Sequence, residues 1–255
     1  MASLFEAAGM EAEAPRPLAD RLRPEHLGEV VGQDHLLGEE GALTRMLDAG
    51  RLGSIILWGP PGTGKTTIAR LLAGKVDLEF VQLSAIFSGV ADLRKAFEAA
   101  KQRRMAGQGT LLFVDEIHRF NRAQQDGFLP HVEDGTIVLV GATTENPSFE
   151  LNPAVLSRAQ VLTLKRLDEP ALEQLLQRAE AHMGRALPVI DEAREALFAL
   201  ADGDGRYALN LAEELFAAVS EDAEPLDREG LSKIVQRRVP LYDKGQDGHY
   251  NLISA

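Results

Sequence analysis

The chain has 255 residues, 45% hydrophobic and 26% charged, with no cysteine and a formal net charge of −12. That length fits one large or two modest globular domains, and the absent cysteines exclude disulfides, thiolate-held zinc and a thiol nucleophile. The acidic balance opposes bulk electrostatic attraction to nucleic acid, so any such contact must use a local basic patch. In chain order, residues 1–17 are small, acidic and proline-bearing, the composition of a disordered tail, with Leu4-Phe5 its one apolar pair. Met1 to Glu6 lacks the basic and apolar regions of a secretory signal, and no apolar run reaches the roughly 18 residues of a membrane span. A cytoplasmic protein is expected, without membrane contact. The histidines never take an H-x-x-x-H spacing, so no zinc centre is expected.

From Leu18 to Gly32 the apolar positions are separated by charges, and Pro24 disfavours helix at Arg23, which reads as a segment draped over the entrance to a domain. Gln33 to Gly50 then has helical spacing at Leu36, Leu37, Leu43, Met46 and Leu47. Ile55-Ile56-Leu57 is a short strand, and Ile68 to Ala73 begins a helical pattern. Between them, Gly59-Pro60-Pro61-Gly62-Thr63-Gly64-Lys65-Thr66-Thr67 matches G-x-x-x-x-G-K-[ST] at every fixed position. Glycines let backbone N–H groups turn toward phosphate oxygens at a helix N-terminus. Lys65 can reach the outer phosphates and the Thr66 hydroxyl can ligate Mg²⁺, so this stretch predicts binding of a nucleoside triphosphate.

Glu79–Leu83 reads as the next strand and Ala91–Met105 as a helix with Leu93, Ala96, Phe97 and Ala100 on its apolar face. Leu111 to Val114 is a continuous apolar run, as expected of a strand buried on both faces, and it closes on Asp115-Glu116. Carboxylates at that end lie where open α/β sheets place their ligand crevice. About 50 residues after the P-loop, Asp115 is placed to hold Mg²⁺ and Glu116 to polarise a water against the γ-phosphate. A helix over about Ala123–Val132, strand Thr136–Val140, a short helix over Pro153–Leu156 and strand Val161–Leu164 follow. Thr144, which ends the strand before that short helix, offers a hydroxyl to orient that water. Five strands alternating with helices predict a parallel sheet with helices on both faces.

From Asp168 only helices are expected: about Asp168–Met183, Asp191–Ala201, Tyr207–Val219 and Asp227–Arg237, with Leu197 and Leu200 on the apolar face of the second. The expected fold is therefore a five-stranded α/β P-loop sheet with a C-terminal all-α lid. The expected division is tail 1–17, sheet domain 18–167, lid 168–239, and 240–255 as the start of a further helical region that the chain cuts short. Spacing alone does not select any arginine for the γ-phosphate. For nucleic acid, Arg103-Arg104 and the pair Arg119 and Arg122 are the two candidate patches.

The P-loop Gly59–Thr67, with Phe113-Val114-Asp115-Glu116 after it, resembles the AAA+ ATPases. Leu18–Leu37 looks like the leading segment of their clamp-loader group. Phe113–Asn121 and Gly141–Asn152 are similar to the replication-associated recombination protein A family, which includes the eukaryotic Werner-helicase-interacting relatives. The resemblance implies a Mg²⁺-dependent, DNA-dependent ATPase at stalled forks or gaps, associated with the nucleoid. By position it makes Thr144 the sensor-1 residue, Arg158 an arginine finger acting on a neighbouring subunit, and Arg206 the sensor-2 residue of the lid. Val30, Val31 and Gly32 fall where the family packs adenine. It further implies homo-oligomers built through neighbouring ATPase domains and a C-terminal region beyond Ala255. Leu4-Phe5 resembles part of peptides that dock on the sliding clamp or single-strand-binding protein, without their upstream glutamine. Alternatives are a nucleotide-switched adaptor at forks, a clamp-loader subunit and a Holliday-junction motor. A small-molecule P-loop kinase is disfavoured, because its lid would interrupt the sheet domain.

Overall fold

The short apolar runs pair into a parallel sheet in the computed structural model, which describes residues 16–238. Leu4-Phe5 and the 240–255 segment lie outside the described residues. The sheet half contains α1 (Leu18–Arg21), α2 (Asp34–Leu37), α3 (Ala42–Asp48), β1 (Ile55–Trp58), α4 (Lys65–Lys75), β2 (Glu79–Ser84) and α5 (Val90–Met105). It continues with β3 (Thr110–Asp115), α6 (Arg122–Asp126), α7 (Leu129–Glu133), β4 (Val138–Thr143), α8 (Pro147–Glu150), α9 (Pro153–Leu156) and β5 (Gln160–Thr163). The helical half is α10 (Glu169–Met183), α11 (Asp191–Ala201), α12 (Gly205–Ala218) and α13 (Arg228–Arg238).

The strand order is β2-β3-β4-β1-β5, with every neighbouring pair parallel. Side chains alternate across each strand, so Ile55, Leu57, Leu111 and Phe113 enter one core with Ile68 and Leu72 of α4. Ile56, Leu112 and Val114 enter the other with Leu93 and Phe97 of α5. Burial on both faces is why these runs are continuously apolar. The arrangement fixes the ends of β1, β3 and β4 along one edge, where the chain turns into its loops.

Four expectations change. The helix expected over Gln33–Gly50 is two short helices. Gly38 is extended (ψ 176°), and a Cβ on Gly41 would lie 2.1 Å from the Leu36 carbonyl oxygen, so the chain closes back more tightly than a side chain allows. The helix expected over Ala123–Val132 also divides, because Pro130 has no N–H to continue the ladder, and fully buried Phe128 turns into the sheet core. Strand β4 starts at Val138 rather than Thr136, whose N–H is taken by Asp134 Oδ1 at 2.7 Å, and it runs on to Thr143 by pairing with β1. Helix α8 was not expected at all; Asn146 starts it by accepting from the Ser148 N–H.

The helical half has its own core. Asp168 caps α10 by accepting from Ala171 N–H, and left-handed Gly184 ends it. Leu200 is 43% exposed, in contrast to its expected place on the apolar face; Ala193, Leu197 and Ala201 make the buried stripe of α11 instead. Leu18 is fully buried in this same core, so the leading segment is not merely draped over the surface. Its N–H donates to Glu213 of α12 at 2.9 Å, and Arg178 of α10 donates to the Glu29 carbonyl. The segment 18–32 thus bridges the two halves.

Candidate nucleotide site

Strand β1 ends at Trp58, and Gly59 N–H still donates to Thr143 O at 3.1 Å, which holds the start of the P-loop on the sheet. A Cβ on Gly59 would lie 2.5 Å from the Leu164 carbonyl oxygen, so the loop leaves between β4 and β5 through a gap that only glycine fits. Gly62 and Gly64 take φ of +66° and +96°. Those left-handed turns wrap the loop into the N-terminus of α4. Lys65 is buried, and its Nζ donates to the carbonyls of Gly59 and Pro60 at 2.7 Å each. Burial pushes its ammonium below the ordinary value, against the pull of Glu116 and Asp115. A polyanion bound in the loop would offset that desolvation.

Opposite the loop, Asp115 is the last residue of β3 and Glu116 the first beyond it. Glu116 sits in the left-handed region at φ 52°, which is unusual for a non-glycine residue and aims its carboxylate into the cleft. His118 Nδ1 lies 3.2 Å from Glu116 Oε2 and 2.9 Å from Thr143 Oγ1. The hydrogen bond runs to the threonine, and Glu116 Oε2 is buried with no hydrogen-bond partner. Thr143 is fully buried and also accepts from Glu145 N–H at 3.0 Å. Thr144 beside it is exposed and lines the cleft.

The cleft is a cavity of about 190 Å³ that opens to solvent. Its lining includes Pro61 through Thr67, Asp115, Glu116, Thr144 and Arg206. Its far wall is apolar: Ala19, Leu22, Val30 and Val31 from the leading segment, with Leu175 and Leu209 from the helical half. Gly32 is not part of that wall. It turns at φ +71°, and a Cβ there would lie 2.7 Å from Leu167 Cδ2 where the halves join. Gly59 and Pro60 also stand behind the lining, holding Lys65 through their carbonyls. Arg158 is elsewhere: it is exposed, pairs with Glu133 through Nε at 2.6 Å, and does not line the cleft.

Sequence reasoning missed three contributors. Asp204 caps α12 by accepting from Tyr207 N–H at 2.9 Å, and the same oxygen lies 1.7 Å from where a Gly62 Cβ would be. The lid therefore rests directly on the phosphate loop. An aspartate just before an apolar-periodic helix is a cap signal, but nothing in it says which loop the cap will meet. Gln33 is fully buried and bonds the Lys165 backbone in both directions, at 2.8 Å and 3.1 Å, fixing the leading segment to the exit of β5. His118, three residues past Asp115, carried no spacing that marked it.

Among the described residues no group of three or more His, Asp or Glu side chains is arranged to hold a metal. A divalent ion beside this loop would rest on the Thr66 hydroxyl, the Asp115 carboxylate and substrate phosphates. That sparse oxygen set suits Mg²⁺.

Residues 55–167 match the ATPase family associated with various cellular activities (AAA), and residues 182–255 match an AAA C-terminal domain. Replication-associated recombination protein A of Escherichia coli K12 is 48% identical over 248 residues, covering 94% of this chain and 56% of that protein. ATPase WRNIP1 of Dictyostelium discoideum is 38% identical, covering 94% of this chain and 30% of that protein. The chain thus spans a little over half of its bacterial relatives' length. Among solved structures, the Thermotoga maritima RuvB Holliday junction branch migration motor superposes with a TM-score of 0.67 at 27% identity, over 85% of this chain and 72% of that one.

Proposed function

The chain belongs to the AAA family of ATPases, and from that premise we propose that it binds ATP with Mg²⁺ in the cleft between sheet and lid and hydrolyses it. The observation that carries the reading is Glu116, whose carboxylate stands against His118 and lines the cleft with a P-loop whose two left-handed glycines leave a cradle. In this reading Gly59–Thr67 holds the phosphates, Lys65 swings from its own loop carbonyls to the outer ones, and Thr66 and Asp115 hold Mg²⁺. A Mg²⁺ ion held there would supply charge neutralisation for the β- and γ-phosphates. Glu116 accepts the proton of a water as that water's oxygen bonds the γ-phosphorus and the bond to the β–γ bridging oxygen breaks. Thr144 at the rim orients the water, Arg206 draws the lid onto the phosphates, and Val30 and Val31 pack the base. Gly32 acts one step removed, as the turn that seats this wall against Leu167.

We divide the chain into a sheet domain at 18–167 and a lid from 168 onward, and assign Arg158 to a neighbouring copy's γ-phosphate in a homo-oligomer. Its distance from the chain's own cleft supports that assignment. The names of the bacterial relatives support a role in replication-associated recombination, and we extend it to work on DNA, in repair as well, in the cytoplasm at the nucleoid. A Holliday-junction motor is the second reading, on the RuvB likeness alone; the higher identity to the recombination protein A relatives favours the first.

The test is Glu116→Gln. A fluorescent ATP analogue should bind this variant as it binds the parent, while hydrolysis falls about 10²–10⁴-fold, the range for losing a general base. Undiminished turnover overturns the assignment.

A further inference from the structure

Two exposed rings stand on the same sheet edge as the nucleotide cleft, Phe87 at 88% and Phe149 at 84% exposure, and neither has a place in the chemistry above. Phe87 is held, not loose. Its N–H and that of Ser88 both donate to Ser84 O, at 3.1 and 2.8 Å, and Asp92 caps the following helix through Gly89 N–H at 2.9 Å. Ile86 and Val90 beside it are 58% and 53% exposed. β2 and β3 are paired to their last residues, Ser84 against Asp115, and paired strands run about 4.8 Å apart. The turn carrying Phe87 and the turn carrying Arg119 and Arg122 therefore leave adjacent strand ends.

Those two arginines flank buried Phe120, which anchors their turn, and both are exposed. Among the described residues neither guanidinium makes a hydrogen bond or ion pair, while the Arg119 N–H donates to the Glu116 carbonyl at 2.8 Å. Arg94 and Lys95 add exposed charge on the first turns of α5. Of the acids nearby, Asp92 is the cap, Asp126 accepts from Asn152, and Asp115 and Glu116 line the nucleotide cleft. Phe149 is the poorer end of the edge, because Glu145 and Glu150 flank it. The other basic pair read from the sequence is spent on the protein itself. It ends α5 at the opposite edge, where Arg104 binds Thr136 and Asp134 and one guanidinium nitrogen of Arg103 is buried.

We propose that Phe87 with Arg119 and Arg122 forms a surface for single-stranded nucleic acid, a base stacking on the ring while the arginines take flanking phosphates. An exposed ring on a backbone-fixed turn, with unpaired guanidinium groups on the adjacent turn, suits stacking and phosphate contact, and local cations are what a chain of net charge −12 needs to hold a polyanion. The inference rests on the DNA role proposed above and names its interface.

The test is fluorescence anisotropy of labelled oligothymidylate with the full chain in ATP and Mg²⁺, across a salt series. Phe87→Ala and Phe87→Leu should each weaken binding about tenfold, and Phe87→Trp should restore it, since stacking needs a ring and not merely an apolar group. Arg119→Ala with Arg122→Ala should flatten the slope of log affinity against log salt by about 1.4, two single-strand phosphate contacts. Arg103→Ala with Arg104→Ala should change neither. Parental binding by Phe87→Leu, or an unchanged slope without Arg119 and Arg122, overturns the surface. So does a Phe87→Ala variant that alters only self-association by sedimentation, which makes this edge an interface between copies. A parent that binds ATP but no oligonucleotide overturns the interface alone; a parent that binds no ATP overturns the nucleotide reading.

Discussion

Gly62 and Gly64 hold similar backbone angles but face different neighbours, and that difference is measurable. A Cβ on Gly64 meets only Val30, at 3.8 Å, so Gly64→Ala carries backbone strain alone, about 1–2 kcal/mol for a left-handed alanine. On Gly62 the added carbon falls 1.7 Å from Asp204 Oδ1, so Gly62→Ala must also displace the cap of α12, about 1 kcal/mol more. Urea unfolding should rank Gly62→Ala below Gly64→Ala, and adding Asp204→Gly should recover part of the Gly62 deficit. An additive pair would rule out the clash as its cause. The glycines themselves were legible, since the P-loop spacing demands them. Their neighbours were not: Asp204 lies far along the chain, and only packing brings it to the loop. The same holds for Thr143 and Thr144, adjacent threonines of which one is fully buried against His118 and the other lines the cleft. Strand alternation says that they face opposite ways, and only the exit of β4 from the sheet says which faces the site.

Among the elements, the strands were legible because continuous apolar runs closed by glycine or acid have few other uses. The long helices were legible where caps agreed with periodicity, as in α10 between Asp168 and Gly184. Helices broken by close backbone approach were not, because periodicity does not register the Gly41–Leu36 contact. The lid helices also hold a charge cluster that periodicity hides. Arg194 of α11 donates through Nε to Glu173 and through Nη1 to Glu180, both on α10 and both at 2.7 Å, with only 17% of its side chain exposed. Arg194→Ala should lower stability by about 2–3 kcal/mol at neutral pH, the value of charged hydrogen bonds in a half-buried site. Its hydrogen bonds to Arg194 hold the Glu173 carboxyl below its usual value of 4.5. The stabilisation is therefore complete above pH 4.5 and fades as pH falls through the depressed folded value. Urea midpoints of parent and variant should converge in acid; a gap that stays constant would exclude the carboxylates as its source.

For the whole molecule, the nucleotide cleft belongs to neither half. The sheet supplies the loop and acids, the lid supplies Arg206 and Asp204, and the leading segment closes the apolar end while its Leu18 is buried in the lid core. Arg158 stands outside, held by Glu133, so in a homo-oligomer each site would borrow its last charge from a neighbour. Mixing Arg158→Ala subunits with Lys65→Ala subunits, each inactive alone, should restore roughly a quarter of parental hydrolysis at equal proportions, since that share of heterologous interfaces joins an intact finger to an intact loop. A mixture as inactive as its parts would return Arg158 to its own chain. What the sequence alone determined is the chemistry that is local in the chain: the P-loop, the paired acids at a strand end, and a parallel sheet followed by a helical lid. Each of these follows from spacing within a few residues. What only the tertiary structure decided is which distant groups meet there: Asp204 on Gly62, His118 beside Glu116 and Thr143, and Gly32 against Leu167 rather than in the cleft. Those contacts depend on strand order and on how the halves close, and local spacing encodes neither.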